Sequence, residues 1–248
     1  MNNNNDNDND TDTDNTCIHY KCIMSIGMRC FTDIFLKAMN MKKFSGIFDG
    51  MYNTDVNDII DIMTYGISNN ELLNTETMND VIIQELNKKH GYRTIHKRYN
   101  YKPNDLFYSY HNAFLPHHNL NNINDRLHFD KCITRLNTIK DQNIRTLFCL
   151  FIHPDYSTDS DVSYHDIEKL KDFLISNYNC KFLVCKFQKQ DNNYNWKCLF
   201  EDEHTTYIHI NNSSNNFSDN ETEMNQIMSY MNVDISKLLT YEDMNISI

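Results

Sequence analysis

A cysteine at a glycine-broken turn, a histidine pair beside a proline and an aspartate beside a glycine are the residues here that could act together on a carbonyl carbon. The run Cys22–Ile26 is apolar and reads as a buried strand, Gly27 ends it, and Met28-Arg29 lead to Cys30. From there Phe31, Ile34, Phe35, Ala38 and Met39 fall at the spacing of one helix face. Cys30 therefore opens a helix, where the unpaired N–H groups and the dipole of the first turn favour a thiolate and can hold an oxyanion. The same position also suits a small buried residue that merely closes the turn, and one cysteine after a glycine does not decide between them.

A thiol nucleophile needs a base. His117 and His118 follow the aromatic-rich run Leu106–Leu115 and stand directly after Pro116. Strand ends gather at one edge of an α/β sheet, so an imidazole delivered there can reach a neighbouring strand end. A histidine pair in a loop can equally be a solvated turn. His153 and His209, each ending an apolar run, are alternative bases. Asp49 could orient the imidazole; with Gly50 beside it, it also fits a turn aspartate that bonds nearby backbone N–H groups or braces the loop. Cys17-x-His19-x-x-Cys22 has an irregular zinc-like spacing with no second pair to complete a tetrahedral site, so no metal is expected. Neither G-x-G-x-x-G nor G-x-x-x-x-G-K-[ST] occurs, which leaves nucleotide use unsupported, and no cofactor is called for.

The elements that must position these residues alternate. A short strand is expected over Phe44–Phe48, and a helix on Val56, Ile59, Ile60 and Met63 with Asn53 or Thr54 as cap and Gly66 as stop. Val81–Ile83 and Tyr92–Tyr101 read as short strands or irregular excursions. Phe129, Cys132, Ile133, Leu136 and Ile139 mark another helix, Thr146–Ile152 a fully buried strand, and Ser163 caps a helix that turns Ile167, Leu170, Phe173 and Leu174 inward. With the strand Cys180–Phe187 this makes a parallel crossover unit. Trp196–Phe200 and Thr205–Ile210 suggest a hairpin, and Ser218–Glu221 a capping box before a helix with Met224, Ile227, Met228 and Met231 inside. The fold class expected is α/β: one domain over 17–248, a mostly parallel or mixed sheet with helices on both faces, and an acidic Asn/Asp-rich tail at 1–16 that is disordered.

Composition narrows the setting. The net charge of −11 with pI near 5.4 argues against nucleic acid as a partner. No run is long and apolar enough for a membrane helix, and the start lacks a secretory signal pattern, so no membrane partner is expected and the chain should stay in a reducing cytoplasm. The eight cysteines are then mostly reduced core residues. Nothing in the composition speaks to oligomeric state.

SIGMRC at 25–30, a helix, and GIFDG at 46–50 resemble the opening motif, S-L-G-x-x-C and then P-F-D-W or F-D-G, of the putative papain-like cysteine peptidase family of bacteria and large DNA viruses. FLPHHN at 114–119 resembles that family's second motif, an aromatic-x-x-His-Asp segment. The resemblance runs over roughly 20–190; Ile26 replaces the usual leucine, Gly50 the tryptophan and Asn119 the aspartate. It implies Cys30 as nucleophile, His118 or His117 as base, Asp49 as the motif acid, and a protein or peptide substrate. The Asn/Asp/Ile-rich composition is similar to that of giant-virus proteins, which would make the compartment a host cytoplasm. A papain-like enzyme would carry its histidine on an antiparallel β half, whereas strands and helices alternate here. The expectation is thus a papain-like cysteine peptidase or related thiol-dependent hydrolase on an α/β scaffold; the alternatives are an inactive binding module in virus–host interaction and a Rossmann-like transferase acting on a nucleotide or sugar.

Overall fold

The computed structural model describes residues 19–27, 30–49, 56–66, 81–85, 92–96, 118–154, 162–189, 193–240 and 242–244. The expected helix cap at 53–54, the strand at 106–115, His117, Cys17, the tail at 1–16 and the Cys30 side chain lie outside the described residues.

Five strands form one sheet. β1 (Cys22–Ser25), β4 (Thr146–Ile152), β5 (Cys180–Phe187) and β7 (Thr205–Ile210) run parallel in that spatial order, and β6 (Trp196–Glu201) pairs antiparallel with β7 at the far edge. β2 (Val81–Glu85) and β3 (Tyr92–His96) make a separate antiparallel pair. β4 is buried at every residue, as a central parallel strand covered on both faces must be.

Alternate residues of each strand feed two apolar layers. On one face α1 (Cys30–Ala38) and α5 (Glu221–Tyr230) pack Phe31, Phe35, Leu36, Met224, Ile227 and Met228 onto Ile23, Leu147, Leu183 and Ile208. On the other, α2 (Val56–Asp61), α3 (Ile123–Asp141) and α4 (Tyr164–Asn177) cover Met24, Phe148, Phe182 and Val184. Each fully buried Phe or Leu contributes about 1.5–3 kcal/mol. The α/β class with helices on both faces is what the periodicity predicted.

Three expectations give way. Phe44–Phe48 is not a strand: the chain turns at 46–49, because the Gly46 N–H is taken by the Asp49 carboxylate. The inward stripe of α1 is rotated, leaving Ile34 50% exposed and burying Leu36, since the Thr32 hydroxyl accepts from the Phe151 N–H on β4 and Asp33 is drawn to Lys42. The expected capping box before α5 does not form; Asn220 is the cap residue without a capping bond, and its amide donates instead to the Ser214 and Asn216 carbonyls.

Candidate functional site

β1 ends at Ser25, Gly27 donates its N–H to the Ser25 hydroxyl, and α1 opens at Cys30. The helix start therefore sits at the carboxyl end of the parallel strands, with Thr32 tied to the end of β4. A turn at 142–145 leads α3 directly into β4, so α3 runs opposite to the strands and its first turn returns to the same sheet end. Its 19 residues span about 28 Å, enough to cover the full length of β4.

His118 precedes that first turn. Its Nδ1 lies 3.4 Å from Asp125 Oδ1, while Asp125 Oδ2 accepts the Asn119 N–H at 2.7 Å. Asn122 caps α3 and puts Asp125 at the third helical position, where the dipole favours an acid. The pairing assigns the imidazole proton to Nδ1 and makes Nε2 the basic nitrogen. His118 stands edge-on to Phe129, 5.0 Å away and buried in the same layer as Ile26, and is stacked with His128 at 5.7 Å. Burial, followed by the neighbouring His118 and Arg135, lowers the His128 pKa.

Asp49 has other partners. Its carboxylate meets the Lys42 ammonium and the Gly46 N–H, and Lys42 also bonds Asp33 on α1. His118 meets the Asp125 carboxylate, while Asp49 bonds Lys42 and the Gly46 N–H. Arg135 of α3 supports the same loop by donating to the Ser45 carbonyl. Burial and the Asp33 carboxylate push Asp49 up to about 6, against the pull of Lys42.

His153, at the end of β4, is fully buried; its Nε2 donates to the Ser213 carbonyl at 2.9 Å and its ring lies 5.0 Å from Phe31, next in sequence to Cys30. His209 Nδ1 pairs with the Tyr194 hydroxyl at 2.8 Å, and burial lowers its pKa. His19 of the zinc-like motif meets Lys237, and no metal-binding group of three His, Cys, Asp or Glu occurs among the described residues. The cysteines Cys22, Cys132, Cys149, Cys180 and Cys185 are buried and free, and burial raises their thiol pKa values, Cys132 and Cys180 to about 12. These thiols are inert at neutral pH. No helix among the described residues is long and apolar enough to cross a membrane.

Asp125 is the residue that sequence reasoning missed. Its signal was the Asn122-x-x-Asp125 spacing ahead of an apolar helix face, which reads as a cap and an acid in the first turn.

In comparisons with known proteins, the family described as "Putative papain-like cysteine peptidase (DUF1796)" matches residues 21–162, more than half of the chain. That span holds β1 through β4, with Cys30, Asp49, His118, Asp125 and His153. No curated protein and no solved structure matches the chain.

Proposed function

The chain belongs to the putative papain-like cysteine peptidase family, and on that premise we propose that it is a thiol-dependent hydrolase acting on a protein or peptide in a reducing compartment such as a host cytoplasm. Cys30 is the nucleophile and His118 the base. The observation that carries this is the convergence at one sheet end of the α1 start and the His118–Asp125 pair. His118 Nε2 takes the thiol proton, and the thiolate attacks the carbonyl carbon. The N–H groups of the first turn of α1 hold the oxyanion, the imidazolium returns its proton to the departing amine, and water then cleaves the thioester. Asp125 holds the imidazole in the tautomer this requires.

A thiol-reactive activity probe tests it. Cys30→Ala should abolish labelling at that peptide with an unchanged unfolding midpoint. Labelling of the wild type no faster than of a free thiol at the same pH would leave a binding module instead.

One observation favours a second reading of the base. His153 packs on Phe31, beside Cys30 in the chain, with its tautomer set by the Ser213 carbonyl so that Nδ1 is the basic atom. If His153→Gln slows labelling while His118→Ala does not, the base is His153.

A further inference from the structure

At the other end of the sheet, where β4, β5 and β7 begin, a cleft of about 170 Å³ is lined by Arg145, Tyr178, Asn179, Cys180, Glu203 and His204. Its walls are held by main-chain bonds. The Arg145 carbonyl accepts from Lys21 and Cys22, the Asn179 carbonyl from Thr146, and the His204 carbonyl from Phe182. The hairpin turn is fixed further by the Asp202 carboxylate, which takes the N–H groups of His204 and Thr205.

Arg145 does not fit a purely structural role. Its guanidinium lies 5.6 Å over the Tyr20 ring and bonds the Tyr20 side chain, its Nε–H is buried without an acceptor, and it makes no ion pair among the described residues. In a chain of net charge −11, acids to pair with it are plentiful, yet the nearest carboxylate lining the cleft, Glu203, is 87% exposed and turned to His204 at 3.8 Å. A buried N–H without a partner is costly, and a planar guanidinium matches two oxygens of one carboxylate or phosphate. We propose that this cleft binds a small molecule through a carboxylate or phosphate group, with Arg145 as the anchoring cation, His204 as a second donor and Glu203 at the mouth limiting the charge admitted. β4 spans about 23 Å, so this site is separate from the one at the Cys30 end.

The test titrates the full chain with inorganic phosphate and with malonate at constant ionic strength, following the thermal midpoint and the heat of binding. A ligand that binds only the folded state raises the midpoint saturably. At least one anion should do so; a response to phosphate alone assigns a phosphate carrier, and to malonate alone a carboxylate carrier. Arg145→Gln should weaken binding by about tenfold or more, the loss of a charge-assisted bond, and Glu203→Gln should tighten it. No binding of either anion, or equal affinity in Arg145→Gln, overturns the proposal. Should Arg145→Gln fail to fold, Glu203→Gln decides: unchanged or weaker affinity overturns it.

Discussion

Two of the places where a carboxylate meets a basic side chain in this molecule are built differently. At the free edge of β1, Asp33, Lys42 and Asp49 form a clasp whose side chains are 4%, 8% and 10% exposed. At the carboxyl end of the sheet, His118 and Asp125 are 26% and 29% exposed and 3.4 Å apart. The clasp lies where the chain passes from one apolar layer, at Met41, to the other, at Phe44–Phe48, and Lys42 ties the α1 side to the loop side. Every lever there serves shape. The looser pair keeps solvent contact, which a proton acceptor needs. The acid of the F-D-G motif thus bonds Lys42 and its own turn, and an acid outside the motif faces the histidine.

The sharpest break of this contrast is His118→Ala. Loss of a general base should slow alkylation of Cys30, read by mass spectrometry of its peptide, by about 10²–10⁴-fold. The urea midpoint should barely move, because the ring is partly solvated. A large fall in stability with no change in rate would make His118 a structural residue and erase the difference between the two regions.

The clasp should respond in the opposite way. Lys42→Met leaves two buried carboxylates with only the more exposed Lys37 on Asp33, and should cost about 3–5 kcal/mol in urea unfolding. The alkylation rate of the protein that remains folded should change little. Loss of labelling with intact stability would mean that Lys42 takes part in the chemistry.

A third outcome concerns pH. Asp49 sits at about 6 in the folded chain against an ordinary 3.8, so between those values the native state binds more protons than the unfolded state. Stability from this group is then highest below about 4, falls as pH rises to about 6 and is flat above. Asp49→Asn should remove that fall while its amide oxygen still accepts the Gly46 N–H. Identical urea-stability profiles for wild type and variant between pH 4 and 6.5 would show that burial does not govern this carboxyl.

The sheet was legible because its signals are local. After Thr146, TLFCLFI runs without a polar side chain other than the Cys149 thiol up to His153, and Ser163 ahead of an apolar helix face reads as a cap, which the structure completes with Asp166 as a capping box. Cys30 at the head of a helix was legible for the same reason. The roles of the acids were not. Asp49 sits beside Gly50 in a motif whose bonds depend on Lys42, seven residues earlier, and on Asp33 across the sheet edge. Likewise, an imidazole's partner is set by where a helix begins, and α3 begins at Ile123. Phe44–Phe48 is apolar in the manner of a strand, but its backbone is committed to Asp49 and Arg135, which periodicity does not register.

Asp125→Asn gives the smallest effect and bears most directly on the comparison. Asparagine keeps an oxygen for the Asn119 N–H and for the helix cap region, so the first turn of α3 should persist. What changes is the charge beside His118 and the certainty of its tautomer. At 3.4 Å and 29% exposure the pair is partly screened, so the alkylation rate should fall by only about tenfold, close to the 1.4 kcal/mol of one such ratio. A structural role for Asp125 predicts a lower urea midpoint with no change in that rate. An unmoved rate with an unmoved urea midpoint would show that Asp125 does not act on Cys30 through His118, and the contrast with the clasp would then rest on exposure rather than on the acid.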